Sequence, residues 1–236
     1  MKISNGIALA AAMALTPFAA AEVDLAWTGM GPYEEGFWSY DDGVSWDSPD
    51  RGTGLYGLLG LSVFNGGEYE GYCYEIEAPV SEAPVPYSIL SIDDYNAELQ
   101  ARFSFVANLY DTWYEEAKIA APEVRNAIGA ALALLTNELM EENYDFIPGT
   151  WLVEDVQLQS STTMGAVQFS GMTAEVEFFY GEMLLGLDFG TQEQMDGLVM
   201  YVSEEGFQAF VGYVPAPSAL ALLGLSGLAS RRRRNG

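Results

Sequence analysis

The chain has 236 residues, 34 acidic and nine basic, with a net charge of −25, no histidine and one cysteine. So acidic a surface repels phosphate backbones and excludes nucleic acid as a partner; without imidazole there is no histidine triad and no ordinary catalytic zinc site. A single cysteine cannot form an intramolecular disulfide, and the share of apolar residues, 50%, is enough for a folded core.

The charge is unevenly placed. Every acid lies between Glu22 and Glu205, so residues 22–213 hold 34 acids and four bases, a net charge of −30. Both ends are apolar and cationic, which points to a separate role for them. The first reads MKISNGIALAAAMALTPFAAAE. Lys2 supplies a positive start, Ile7–Leu15 an apolar run, and Ala19 and Ala21 an A-x-A cleavage signal before Glu22. That is the layout of a secretory signal peptide.

Residues 22–70 alternate aromatic and polar residues between glycines, a β pattern. GFWSYDDGVSW carries an Asp-Asp-Gly hairpin signal. Strands are expected at Leu55–Phe64 and Glu68–Glu77, joined by Asn65-Gly66-Gly67, with Tyr72, Tyr74 and Ile76 on one side and Cys73, Glu75 and Glu77 on the other. APVSEAPVPYS, with three prolines, reads as a loop. Apolar residues then recur at helical spacing: Tyr95, Leu99, Phe103, Val106, Tyr110, Trp113 and Ala117. Ser91 and Asp94 make a capping-box variant before this helix. A second helix opens near Pro122, with a stripe of Val124, Ile128, Leu132, Leu135 and Leu139. The short link predicts an antiparallel helical hairpin. After Pro148-Gly149 a strand period returns in TWLVEDVQLQS, GAVQFSG, TAEVEFFYG, EMLLGLDFG, GLVMYVSEEG and FQAFVGYV.

Four features in this middle region could carry chemistry. The strand Tyr72-Cys73-Tyr74-Glu75, followed by a loop and two helices, resembles the surface thioester-domain pattern over residues 68–145. In that family a cysteine and a glutamine form an internal thioester that captures amines. Here the second helix has no glutamine and Ala131 or Ala133 stands in its place, so the resemblance implies the scaffold without the bond. Cys73 is then a candidate thiol, or a small apolar core residue. Asp41, Asp42, Asp47 and Asp50 form an oxygen-rich loop, a candidate Ca²⁺ site or a solvated acidic face. The pairs Glu115/Glu116, Glu141/Glu142 and Glu204/Glu205 could be glycosidase acids, but neighbours on a helix point apart. Trp27, Tyr33, Phe37, Trp38, Tyr40 and Trp46 could stack on sugar rings or fill a β core.

The last segment is VPAPSALALLGLSGLASRRRRNG, residues 214–236. Ser218–Ser230 is an uncharged run of 13 residues, shorter than the roughly 20 of a full membrane span. Val214-Pro215-Ala216-Pro217 is a stiff spacer. Arg231, Arg232, Arg233 and Arg234 would hold the end on the cytoplasmic side. This order of Pro-x-Pro, apolar segment and arginine cluster resembles the PEP-CTERM sorting signal of bacterial exopolysaccharide-associated proteins, with alanine in place of the central glutamate. The resemblance implies export, recognition by an exosortase-type membrane protease, transient membrane association through the tail, and release to the cell surface or extracellular matrix. A plain C-terminal anchor would share the export and lack the processing.

The expectation is therefore a signal peptide at 1–21, one extracellular domain at 22–213 and a sorting tail at 214–236. The fold class is α+β, an antiparallel β-rich domain interrupted by an antiparallel helical hairpin. The function expected is non-enzymatic, structural or adhesive, associated with exopolysaccharide, with no cofactor and no catalytic residue; its partners are the export machinery and the sorting protease. The alternatives are a glycan- or Ca²⁺-binding module and a covalent thioester adhesin.

Overall fold

The structure, a computed structural model, describes residues 21–40, 55–74, 78–142, 144, 150–162 and 167–213. Its strands are β1 (Ala21–Leu25), β2 (Trp27–Tyr40), β3 (Leu55–Phe64), β4 (Tyr69–Cys73), β5 (Val85–Leu90), β6 (Val167–Ser170), β7 (Leu198–Ser203) and β8 (Phe210–Tyr213). They form one antiparallel sheet in the order β1-β5-β7-β8-β4-β3-β2-β6. The helices are α1 (Ala97–Trp113), α2 (Glu116–Ile119), α3 (Pro122–Glu141), α4 (Val153–Gln159), α5 (Ala174–Leu185) and α6 (Gln192–Asp196). The class is α+β with an antiparallel sheet, as the alternation of periods predicts.

The sheet rolls up on itself. Only Ala26 separates β1, which pairs with β5, from β2, which pairs with β3. Asn65 pins this corner: its backbone N–H donates to the Ala26 carbonyl at 2.9 Å. Its side-chain Oδ1 accepts the Ala26 N–H at 2.9 Å, and its Nδ2 donates to the Asp24 carbonyl at 3.0 Å. Asn65 opens the expected Asn-Gly-Gly turn with φ of 49°, a conformation asparagine tolerates. The rolling brings Phe64 on β3 to within 6.2 Å, ring to ring, of Tyr87 on β5, although three strands lie between them. Inside the roll Phe210 is stacked between Phe64, at 4.3 Å, and Tyr201, at 4.5 Å. Leu25, Tyr69, Val85 and Val199 complete this core. A Cβ on Gly71 would stand 2.4 Å from the Phe210 ring, so only glycine fits beneath it.

The outer face of the roll is the floor of a larger core. Leu61, Tyr72, Met200 and Val211 point to it, and α1 and α3 lie over it. Alternation along β7 and β8 feeds both cores, so these central strands are buried on both faces. Helix α3 is the centre of the assembly. It packs on β2, β3 and β4 below and on α1, α2 and α5 around it, and every residue from Ala127 to Met140 is buried. Gly129 permits this approach, because a Cβ there would stand 2.6 Å from the Pro32 carbonyl of β2.

Several local expectations are corrected. TWLVEDVQLQS is not a strand but contains α4: Val156 is buried while Leu158, on the same face of any strand, is 79% exposed. TAEVEFFYG is α5, capped by Thr173, whose hydroxyl accepts the Val176 N–H. It buries Val176, Tyr180 and Met183 at helical spacing and leaves Phe178 outside. EMLLGLDFG holds the end of that helix and the loop after Gly186. The end of the proline-rich loop, from Val85, is β5; Pro86 stands in register with Asp24 of β1, and pairing with β7 begins at Tyr87. The cap of α1 is Asn96, accepting the Leu99 N–H at 2.9 Å, and Ile92–Asp94 forms a separate 3-10 turn before it. The link from α1 to α3 contains the one-turn helix α2.

Candidate functional site

The described residues hold three polar or reactive places. The first surrounds Cys73. Its side chain points into the rolled sheet, where the Ser62 hydroxyl lies 3.2 Å from the sulfur. Asn137 of α3 reaches this strand, but its amide Nδ2 donates to the Cys73 backbone carbonyl at 3.1 Å and to the Ala133 carbonyl at 2.8 Å. Ala131 and Ala133, where the resemblance would put glutamine, are both buried in the helix-side core. Strand and helix thus stand beside one another, joined by the Asn137 side chain.

The second is a buried polar cluster at the C-terminal end of α3, of which the sequence pattern marks only Glu142, in the pair Glu141/Glu142. No basic residue stands in the last turn of this helix; Arg102 of α1 supplies the missing charge from the side. Its Nη1 donates to the carbonyls of Leu139, Met140 and Glu142 at 3.1, 3.2 and 2.8 Å. Its other face meets Glu98 Oε1 at 2.9 Å. The guanidinium sits over the rings of Tyr144 and Trp151, at 5.1 and 5.6 Å. This caps the exposed carbonyls and the negative end of the helix dipole. One turn earlier Glu138 is fully buried, and neither of its carboxyl oxygens has a hydrogen-bond partner among the described residues. Burial, with Glu142 adding to it, pushes its pKa up to about 10, so the group is a neutral acid at physiological pH. Tyr180 of α5 is raised well above its ordinary value, first by burial and then by Glu138. Tyr144 donates to or accepts from Ser160 at 2.7 Å. The cluster holds helix ends together, with Arg102 joining α1 to the end of α3.

The third place is a surface pocket of about 400 Å³ bounded by α1, α6 and β8. Asp111, Thr191, Glu193, Gln194 and Tyr213 line it. Gln194 is locked across it: its Oε1 accepts the Thr191 N–H at 2.7 Å and its Nε2 donates to Asp111 Oδ2 at 2.7 Å. The first is half of a complete capping box on α6. Tyr213 ends β8, one residue before the Val214-Pro215-Ala216-Pro217 stretch.

The remaining sequence candidates are dispersed. Asp41, Asp42, Asp47 and Asp50, together with Trp46, lie outside the described residues, as do Ala19 and the tail residues Val214, Pro215, Pro217, Arg231, Arg232, Arg233 and Arg234. Ala21 and Glu22 open β1, in register with Ile89 and Ser88 of β5. Of the aromatic group, Trp27 packs against the rolled core and Tyr33 is exposed. Glu115, Glu116, Glu204 and Glu205 are exposed, while Glu142 is buried at the end of α3. Among the described residues no three potential metal ligands come together, and no helix is long and apolar enough to cross a membrane. No family model matches the chain, and neither a curated protein nor a solved structure matches it.

Proposed function

We propose that the chain is an exported, non-enzymatic protein of the cell surface or extracellular matrix, sorted by its C-terminal segment and associated there with exopolysaccharide. The observation that carries this reading is the pairing of the two end segments in the sequence. The A-x-A signal ends at Ala21, and the Pro-x-Pro spacer, apolar run and four arginines occupy 214–236. The described fold supports it in two ways. Its strands run from Ala21, the last residue of the expected signal peptide, to Tyr213, one residue before the expected tail. Two of its buried polar side chains bind one element to another, Arg102 to the end of α3 and Asn137 to β4, which is the work of a scaffold.

Surface labelling of intact cells tests the reading. A membrane-impermeant amine reagent should reach Lys118, whose ammonium is bound to Glu70 at the protein surface, in cells making the full chain. A variant ending at Tyr213 should leave the surface fraction and appear as soluble exported protein. Protection of the full chain inside intact cells would overturn the proposal.

A further inference from the structure

The pocket between α1, α6 and β8 combines an aromatic platform with carboxylates and lacks any base. We propose that it is a binding subsite for a pyranose unit bearing a protonated amine, with Tyr213 as the stacking platform and Asp111 and Glu193 as counter-charges. The inference rests on the association with polysaccharide proposed above and names the sugar chemistry that this surface would take.

The platform is preorganised. Tyr213 is 37% exposed, and behind it Tyr114 makes an edge-to-face contact at 4.7 Å and Tyr110 a tilted one at 6.2 Å. A ring held by two others loses little freedom when a sugar stacks on it. Its hydroxyl remains protonated, with a pKa raised to about 12 by burial and then by Asp111 and Glu115; it can donate to a sugar oxygen. Asp111 is held in place by the locked Gln194 amide, which occupies Oδ2 and leaves Oδ1 turned to no described partner. Glu193 makes no ion pair among the described residues.

Charge selects the ligand class. Two carboxylates with no lining base disfavour uronic acids and sulfated sugars through like-charge repulsion. A neutral sugar would use the ring and leave the carboxylates without a counter-charge. An amino sugar uses both, because the ammonium meets the carboxylates while the pyranose face meets the ring. The volume of about 400 Å³ falls within the range of small-molecule sites.

The test is calorimetric titration of the full chain at physiological ionic strength, where diffuse surface attraction is largely screened. The probes are the β-1,4 disaccharide of glucosamine, its N-acetylated counterpart and cellobiose. The glucosamine disaccharide should bind at least tenfold more tightly than the other two. Asp111→Asn combined with Glu193→Gln should weaken it at least tenfold; both positions are exposed, so the fold is retained. Tyr213→Leu should weaken all stacking probes. Glu204→Gln with Glu205→Gln, exposed acids of the turn after β7, should leave binding unchanged. An equal loss in that control pair would mean attraction of any cation to an acidic chain and would overturn the subsite. So would equal binding of all three disaccharides, or no binding. Binding without surface sorting would refute the proposed function alone, and sorting without binding the subsite alone.

Discussion

Glu138 makes the stability of this fold depend on pH in a direction opposite to that of an ordinary paired carboxylate. Its acid form is held to about pH 10 in the folded chain, while in the unfolded chain it ionises near the usual value of about 4.3. Between those values unfolding releases a proton, so stability falls as pH rises, and the contribution is flat below about 4.3 and above about 10. Each pH unit in that window costs about 1.4 kcal/mol, giving about 5 kcal/mol at pH 8. That is a large part of the roughly 5–15 kcal/mol that holds a domain folded. Glu138→Gln keeps the shape and polarity of the neutral acid and removes its proton. Urea unfolding followed by tryptophan fluorescence at pH 5, 7 and 9 should find the variant near the parent at pH 5. It should then become progressively more stable than the parent, by several kcal/mol at pH 9. A difference between the two that does not change with pH would refute the reasoning, because it would mean that the carboxyl is ionised or solvated in the fold.

Other substitutions test the packing. Arg102→Met leaves the three carbonyls at the end of α3 without their donor and should cost about 3 kcal/mol in urea unfolding, whereas Glu98→Gln, which keeps that cap, should cost under about 1 kcal/mol. Gly129→Val drives α3 against the Pro32 carbonyl and should destabilise by about 1–3 kcal/mol. Phe210→Ala empties the centre of the rolled sheet and should cost about 3–5 kcal/mol. The cysteine should carry no thioester: methylamine should not label the chain, and its intact mass should show no deficit of about 17 Da from loss of ammonia.

What the sequence reveals of the fold depends on how unambiguous each period is. Long helices α1 and α3 and the Asn65-Gly66-Gly67 turn are readable because their spacing and turn chemistry agree. TAEVEFFYG is not, because Val176, Phe178 and Tyr180 satisfy a strand period while Val176, Tyr180 and Met183 satisfy a helical one. The cap at Thr173 and the length gained by continuing into Met183 decide for the helix. The buried acid is hidden by a similar error of degree. A stripe through Ile128, Leu132, Leu135 and Leu139 leaves Glu138 on the polar side, but α3 is surrounded by sheet and helices and has no polar side from Ala127 to Met140. The signal was the nearly unbroken apolar run IGAALALL, which marks a helix buried all round. Pocket residues Asp111, Glu193 and Tyr213 come from three elements far apart in the chain. Only the tertiary pairing of α1, α6 and β8 collects them.

The two ends of the chain test the proposed sorting most directly. Intact-mass analysis of protein recovered from the cell surface of a host with an exosortase-type protease should give a chain that starts at Glu22 and lacks Arg231, Arg232, Arg233 and Arg234. A surface-recovered mass that still includes all four arginines would contradict processing at the tail, and one that still includes residues 1–21 would contradict the signal peptide.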